Sequence, residues 1–523
     1  MEKLYCIEEQ KRLSESFLWE LQREYFHQKG IDAWGQEVPF FITSNPVITA
    51  KYANITLDFM LDWTNNHPES KQHCFYILEL GTGSGMFSYY TLKTLTHLIN
   101  QLQRDDMRFC YVMSDFTNNN VKYWQQHPSL KQFIENGTLD FATYNLEHDK
   151  DIKLINAGTV LDKTSIHNPL IVYANYIFDT VSHDSFTIKN NELYESVVTL
   201  RTNKNNMKRK RPKISSEIKI QYDERPIDPN HYYEDPFINK ILNHYAEELN
   251  DTHFLIPTAS LRSIKNLSEI TQNKMFMITS DKAKSFLSEM KYINRPNLAF
   301  HGSFSFTVNY DAIARYFQHL GGDEHRPALR EGLKTCIFSL GAPLKTLHQT
   351  QRSIQREIDG FMPSEYFAYH QFMKNNKNLL DAHTLSTYLK LSNHDPYVFH
   401  HIAPRINEII NDAYTSTKQY IIDMIPVIVD NFYFIPTSHD TYFDVGLFYH
   451  TLEKYDKAIT FYNLSKKHFG EQFNVYYNLA LCHFYLDNRP HSLKLFKRSL
   501  DFQSDNNTAR EWTAYVENLI NSE

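Results

Sequence analysis

Cysteine is scarce and scattered. Cys6, Cys74, Cys110, Cys336 and Cys482 are the five in 523 residues and form no C-x-x-C pair, so neither a disulfide framework nor a zinc knuckle is expected, and a reducing compartment fits. No run of 18 apolar residues occurs, and the opening MEKLYCIEEQKRLSE reads as a charged helix where a secretory leader needs a basic end followed by an apolar core. The expectation is a soluble, cytoplasmic protein with no membrane partner. Surplus positive charge is also lacking: a net charge of −7 provides no global field toward nucleic acid or anionic lipid. The histidines at 383, 394, 400 and 401 supply no pair at metal-ligand spacing on a clear helix with an acidic partner, so no metal site is expected.

What is present begins with length and core material. At 523 residues and 42% hydrophobic, two to four domains with real cores are expected. The chain is organised around Phe75–Gly85, FYILELGTGSG. An apolar run, glycines at 81, 83 and 85, and a helix-periodic MFSYYTLKTLTHLINQL describe a strand, a tight turn and a helix. Such a turn lets a ligand approach bare backbone while the N–H groups opening the helix face it. A dinucleotide fingerprint, G-x-G-x-x-G, would place its third glycine at Met86, whereas it falls at Gly85, which disfavours nicotinamide. The alternative is a glycine-rich turn that holds nothing.

E-L-G-T-G-S-G resembles motif I of the class I S-adenosylmethionine-dependent methyltransferases. The resemblance implies that Gly81, Thr82, Gly83 and Gly85 lie under the methionine part of S-adenosyl-L-methionine, with Glu79 orienting its amine directly or through water. About 30 residues beyond Gly85, RFCYVMSDFTNNN reads as a second strand ending at Asp115. Its two carboxylate oxygens match a ribose cis-diol, although Asp115 or Thr117 can equally cap the next helix. A third strand, GTLDFATYNLEHD, leads to Asn145, which in such enzymes would meet the adenine amino group and otherwise is a turn residue.

Three further patches resemble the MidA family, which includes the mitochondrial complex I assembly factor that methylates a protein arginine. F-I-T-S, about 38 residues before the glycine turn, contributes Thr43 and Ser44 to the cofactor side, though such hydroxyls also cap helices. NPLIVYANYIFDTVSHDSF reads as a buried strand running into Asn175, Asp179, His183 and Asp184. It matches the family's Asn-Glu-x-x-Asp-Ala-Leu-Pro stretch at Asn175, Phe178 and Asp179 and departs from it at Tyr176, Val181 and Ser182. Strand ends of doubly wound sheets hold ligands, so the acceptor is expected there, with Asp179 orienting the nucleophile and Asn175 and His183 assisting. The third patch is NLAFHGSFSFTVNYDAIARYFQHLGG, whose His301, Ser303 and Asn309 can line the same pocket or form a structural hairpin.

Residues 1 to about 35 carry Leu13, Phe17, Leu21 and Tyr25 at helical spacing, which predicts an amphipathic leading helix. Between about 187 and 300, strands broken by charge predict an inserted α+β region. Its hairpin loop, MKRKRPK, has five basic residues among the six from Lys208 to Lys213. That is a solvated tip or, alternatively, a nuclear-import or polyanion patch. Residues 341–440 are helical in pattern, with Pro363, Pro396, Pro404 and Pro436 as breakers.

Near the C-terminus, one 34-residue offset places Gly446 on Ala480, Leu452 on Leu486, Ala458 on Ser492 and Tyr462 on Phe496. That period is the mark of tetratricopeptide repeats, a binding surface rather than a catalyst. The expected architecture is therefore an α/β, doubly wound (Rossmann-like) methyltransferase domain over 1–340, a helical connection over 341–440 and an all-α repeat region over 441–523. The expected activity is methyl transfer to a protein nitrogen, arginine included, with the repeats recruiting the substrate or its complex. A silent scaffold of the same fold is the alternative.

Overall fold

The buried apolar runs pair into one sheet. In the computed structural model, which describes residues 4–34, 41–104, 106–203, 217–296, 298–301, 303–327 and 332–522, its strands are β1 (Phe75–Glu79), β2 (Phe109–Asp115), β3 (Leu139–Thr143), β4 (Leu170–Asn175), β5 (Met275–Lys284), β6 (Asp323–His325) and β7 (Leu333–Leu340). They lie in the order β3-β2-β1-β4-β5-β7-β6. The strands from β3 to β5 run parallel, and β7 is antiparallel to both β5 and β6. Every residue of β2 is buried, as expected for a parallel strand covered on both faces.

The chain steps outward from β1 to β2 and β3, then returns to place β4 on the other side of β1. That reversal opens a crevice at the carboxyl ends of β1 and β4, where doubly wound sheets bind ligands. Gly81, Gly83 and Gly85, with φ of 63°, 62° and 84°, make the turn out of β1. Gly85 is the left-handed N-cap of the helix Met86–Gln101.

A second sheet holds the strands Tyr5–Lys11, Glu192–Thr202, Asp184–Lys189 and Thr252–Ile256 in that order, with Ile218–Pro226 also paired to Glu192–Thr202. This corrects the leading-helix expectation. The helix starts only at Phe17, capped by Ser16, and runs to Lys29; residues 5–11 form an edge strand antiparallel to Glu192–Thr202. Cross-strand pairing has overridden a weak local preference there. The inserted region is thus completed by the N-terminal strand and is shorter than the expected 187–300, since Met275–Lys284 belongs to the main sheet between β4 and β7. The predicted hairpin is present, with Thr202 opposite Ile218, while its basic tip, Lys208–Lys213, lies outside the described residues.

The chain divides into two units, Met1–Phe367 with Ile435–Thr437, and Ala368–Phe434 with Ser438–Glu523. Residues 341–367 thus go with the sheet rather than with the C-terminal helices. In that segment the helix His348–Ile354 is tied to the helix Pro46–Asn66, where Asp62 accepts from the Thr350 N–H and hydroxyl, both at 2.8 Å.

The second unit is helical. Of the four prolines expected to break helices, Pro363, in the first unit, and Pro396 are first residues of helices, Pro404 lies within Pro396–Ile409, and Pro436 alone falls between helices. The 34-residue repeat corresponds to two helical hairpins, Thr441–Thr451 with Tyr455–Phe469 and Phe473–Tyr485 with Arg489–Leu500, followed by Asn507–Ser522. Gly446 is required by close approach, since a Cβ there would stand 2.7 Å from the Tyr462 ring. At the equivalent place in the second hairpin, the Ser492 hydroxyl donates to the Ala480 carbonyl at 2.8 Å.

Candidate functional site

A cavity of about 140 Å³ opens where the turns after β1, β2, β4 and β5 converge; its walls include Trp34, Gly81, Asp115, Tyr176, Asp179 and Lys282. Phe26 and Phe116 add aromatic rings, and Ile42, Asn120, Ile177, Thr180 and Ser305 complete the lining. The glycine cradle is covered by side chains of its own unit. A Cβ on Gly81 would come 2.6 Å from Ile177 Cδ1, and one on Gly83 would come 2.6 Å from Trp34 Cζ2.

Asp115 ends β2 at the cavity wall, where its carboxylate braces the turn that follows. It accepts from the Thr117 N–H and hydroxyl, each at 2.8 Å, and from Asn120 Nδ2 at 3.0 Å. Those bonds fix the entry into the helix Asn118–Gln126. The Gly83 N–H also addresses it, and burial raises its pKa. A carboxylate has about four acceptor sites, so a ribose diol would have to replace some of these donors.

Glu79 turns away into a buried hydroxyl cluster. It accepts from Tyr111 at 2.8 Å and from Ser88, and burial pushes its pKa up to about 7. Thr82 is likewise engaged with β2: its N–H donates to the Ser114 carbonyl at 2.9 Å and its hydroxyl accepts from the Ser114 N–H at 3.1 Å. Thr43 and Ser44 precede the helix Pro46–Asn66, but Asn45 caps it, accepting from Val47 and Ile48. Asn145 makes a local turn, accepting from the Glu147 N–H at 3.0 Å. The side chains of Thr43, Ser44 and Asn145 do not line the cavity.

Beyond β4, the residues expected on the acceptor side divide. Asn175 Oδ1 accepts from Tyr52 at 2.8 Å, while its Nδ2 is buried without a protein partner. His183 is fully buried between Trp19 and Phe306, with Nε2 on the Phe178 carbonyl at 2.8 Å. Burial lowers its pKa to about 4, so it is a neutral core imidazole rather than a base at the site. Asn309 also proves structural: it caps the helix Tyr310–His319 and donates to the Leu255 carbonyl, and of the nearby serines Ser305, not Ser303, reaches the cavity. Asp179 alone of the predicted catalytic three lines it.

Asp179 has a partner that no local sequence pattern indicates. Asp281, near the end of β5, is within hydrogen-bonding reach of it, and both acids are raised in pKa, first of all by burial. Asp281 also accepts from the Phe178 N–H at 3.2 Å. Beside them Tyr176 is held at φ 51°, in the left-handed region that a non-glycine residue rarely adopts. The one local signal for Asp281 and Lys282 is the apolar run MFMI shortly before them, which has the form of a buried strand.

Among the described residues no group of three or more His, Cys, Asp or Glu side chains is arranged to hold a metal, and no helix is long and apolar enough to cross a membrane. No family model and no curated protein matches the chain. Among solved structures, an uncharacterized ACR, a COG1565 superfamily protein from Burkholderia thailandensis, aligns at 9% identity over 63% of this chain and 94% of its own, with a TM-score of 0.35. A COG1565 superfamily member and candidate methyl transferase from the same organism, bound to S-adenosyl-homocysteine, aligns at 10% identity over 63% and 95%, again with a TM-score of 0.35. A likeness at that level carries nothing over to the site of this chain.

Proposed function

We propose that this chain is an S-adenosylmethionine-dependent methyltransferase acting on a nitrogen, arginine included, of a protein recruited by its C-terminal hairpins, which we read as tetratricopeptide repeats. The observation that supports it is the three-glycine turn at the reversal of strand order, whose first glycine, Gly81, lines one cavity with Asp115 and Asp179. The residues present fit the cofactor in kind. Gly81, Gly83 and Gly85 would leave backbone open to the methionine end, Asp115 and Asn120 would meet the ribose, and Phe26 and Phe116 offer aromatic walls to the adenine. The cofactor supplies a methyl already activated by a sulfonium.

This chain must position and dehydrate the acceptor, since alignment at about 3–3.5 Å accounts for much of such a barrier. Asp179, buried at the cavity wall, is the group to hold the nitrogen. Pockets for ligands of this size run to about 300–1,000 Å³, so the present 140 Å³ requires Trp34 and Ile177 to swing off the glycines when the cofactor enters. Calorimetric titration with S-adenosylmethionine and S-adenosylhomocysteine, followed by transfer of a radiolabelled methyl to proteins of a lysate, tests the reading. Specific observations favour a second reading, a silent scaffold of the same fold: Trp34 over Gly83, Glu79 withdrawn into hydroxyls, and the crowded Asp115 carboxylate. Binding without any methyl transfer would support it.

A further inference from the structure

Two buried carboxyl oxygens have no protein donor: Oδ1 of Asp179, a residue of the cavity wall, and Oδ1 of its partner Asp281. Both residues are almost wholly enclosed, at 2% and 0% exposure, and Asp179 faces the cavity. Two buried carboxylates within reach of each other cannot both stay ionised without a counter-charge, because their repulsion in a poorly solvated site raises one of them strongly. A single proton shared by the two carboxyls relieves that repulsion.

The groups facing the pair do not supply that counter-charge from within. Tyr176, Tyr52 and Tyr310 couple to these acids and are kept neutral by burial. Lys282 also lines the cavity and its charge lowers Asp179; being exposed, it is screened by solvent and leaves the pair without a buried counter-charge. Asp115 adds an acid elsewhere on the wall, and Ser305 is polar without charge. Tyr176, tied electrostatically to both acids, lines the cavity beside Asp179, and an aromatic wall favours a cation.

We infer that the Asp179–Asp281 pair is a proton-linked receptor for a positively charged nitrogen, an ammonium or guanidinium of a basic side chain, and that the shared proton leaves when this cation enters. The chemistry after binding rests on the methyltransferase reading. The doubly ionised pair then takes one proton from the nitrogen. The freed lone pair forms the new N–C bond as the C–S bond breaks with its electrons passing to sulfur. The product is a methylated cation beside a pair that again holds one proton, so charge and protons balance. Asp281 is a positioning residue in this scheme: it touches Asp179 and not the substrate.

The test uses the full chain with butylammonium as probe and 1-butanol as its neutral isostere, each with and without S-adenosylhomocysteine. Calorimetry in buffers of different ionisation enthalpy counts protons released on binding. The expected result is at least about tenfold tighter binding of butylammonium than of 1-butanol, the scale of one charged contact, accompanied by proton release. Asp281→Asn should keep some cation preference and abolish the release, and Asp179→Asn should lose the preference.

Infrared difference spectra should show a protonated-carboxyl band in the wild type that disappears on adding butylammonium. That measurement decides the matter even where a variant does not fold. Equal affinity for both probes, cation binding with the band unchanged, or undiminished release in Asp281→Asn would overturn the inference. Cation binding with proton release in a chain that never binds S-adenosylhomocysteine would leave the receptor standing and remove the methyltransferase reading.

Discussion

The Trp34 indole rests on Gly83 so closely that a β-carbon at Gly83 would come 2.6 Å from Cζ2. The contact sets the state of the glycine cradle, because apparent affinity falls with the fraction of molecules in which the cradle is open. Trp34→Ala should therefore tighten S-adenosylhomocysteine binding, by up to about tenfold, as measured by calorimetry. Weaker binding would instead make the indole a wall for the cofactor.

Asp115 serves the turn and, on this account, the ribose. Asp115→Ala strips the acceptor from buried Thr117 and Asn120 donors, which should cost about 1–3 kcal/mol of stability. Cofactor binding should weaken by ~1.5–3 kcal/mol, with much less change for methionine, which has no ribose. Denaturant melts and paired calorimetric titrations separate the effects. An equal loss for both ligands would leave Asp115 a turn brace only.

Stability should depend on pH through two opposed groups. Glu79 is raised from 4.5 to about 7, so the folded state keeps its proton where the unfolded chain has lost one, and stability falls as pH rises from about 4.5 to 7. His183 is lowered from 6.5 to about 4, so its contribution is present above pH 6.5 and is lost as pH falls toward 4. Each effect is worth ~3 kcal/mol by linkage, and they offset in the wild type. Glu79→Gln should expose the loss of stability on acidification, and His183→Phe the opposite slope, in denaturant titrations across pH 4–7. Parallel pH profiles for all three proteins would show that neither group is perturbed as described.

Removing the second hairpin and the last helix, residues 473–522, should leave S-adenosylhomocysteine affinity within about twofold, because repeat units contact chiefly their neighbours. Methylation of a protein partner should drop sharply while that of a short basic peptide is spared, since tethering raises the effective acceptor concentration. Loss of cofactor binding in a soluble truncated chain would contradict this division of labour.

The sheet is legible in the sequence because its strands are short apolar runs, and the glycine turn because only glycine readily takes three left-handed positions so close together. Asp115 and Asp179 are legible from their places at strand ends. What escapes depends on distant segments meeting. Trp34 lies 49 residues from Gly83 in sequence, and Asp281 lies 102 residues from Asp179, so no local pattern joins either pair. His183 is misleading because a histidine in a polar run looks alike in a core and at a site, and burial between Trp19 and Phe306 decides it. Residues 5–11 mislead because the pairing that makes them a strand comes from Glu192–Thr202.

The central claim is that the Gly81–Gly85 turn holds S-adenosylmethionine. Calorimetric titration of the full chain with S-adenosylhomocysteine, wild type beside Gly83→Arg, tests it most directly. The account predicts saturable one-to-one binding to the wild type and none to a folded Gly83→Arg, whose side chain would fill the cradle. No binding to the wild type, or equal binding to both, would contradict it.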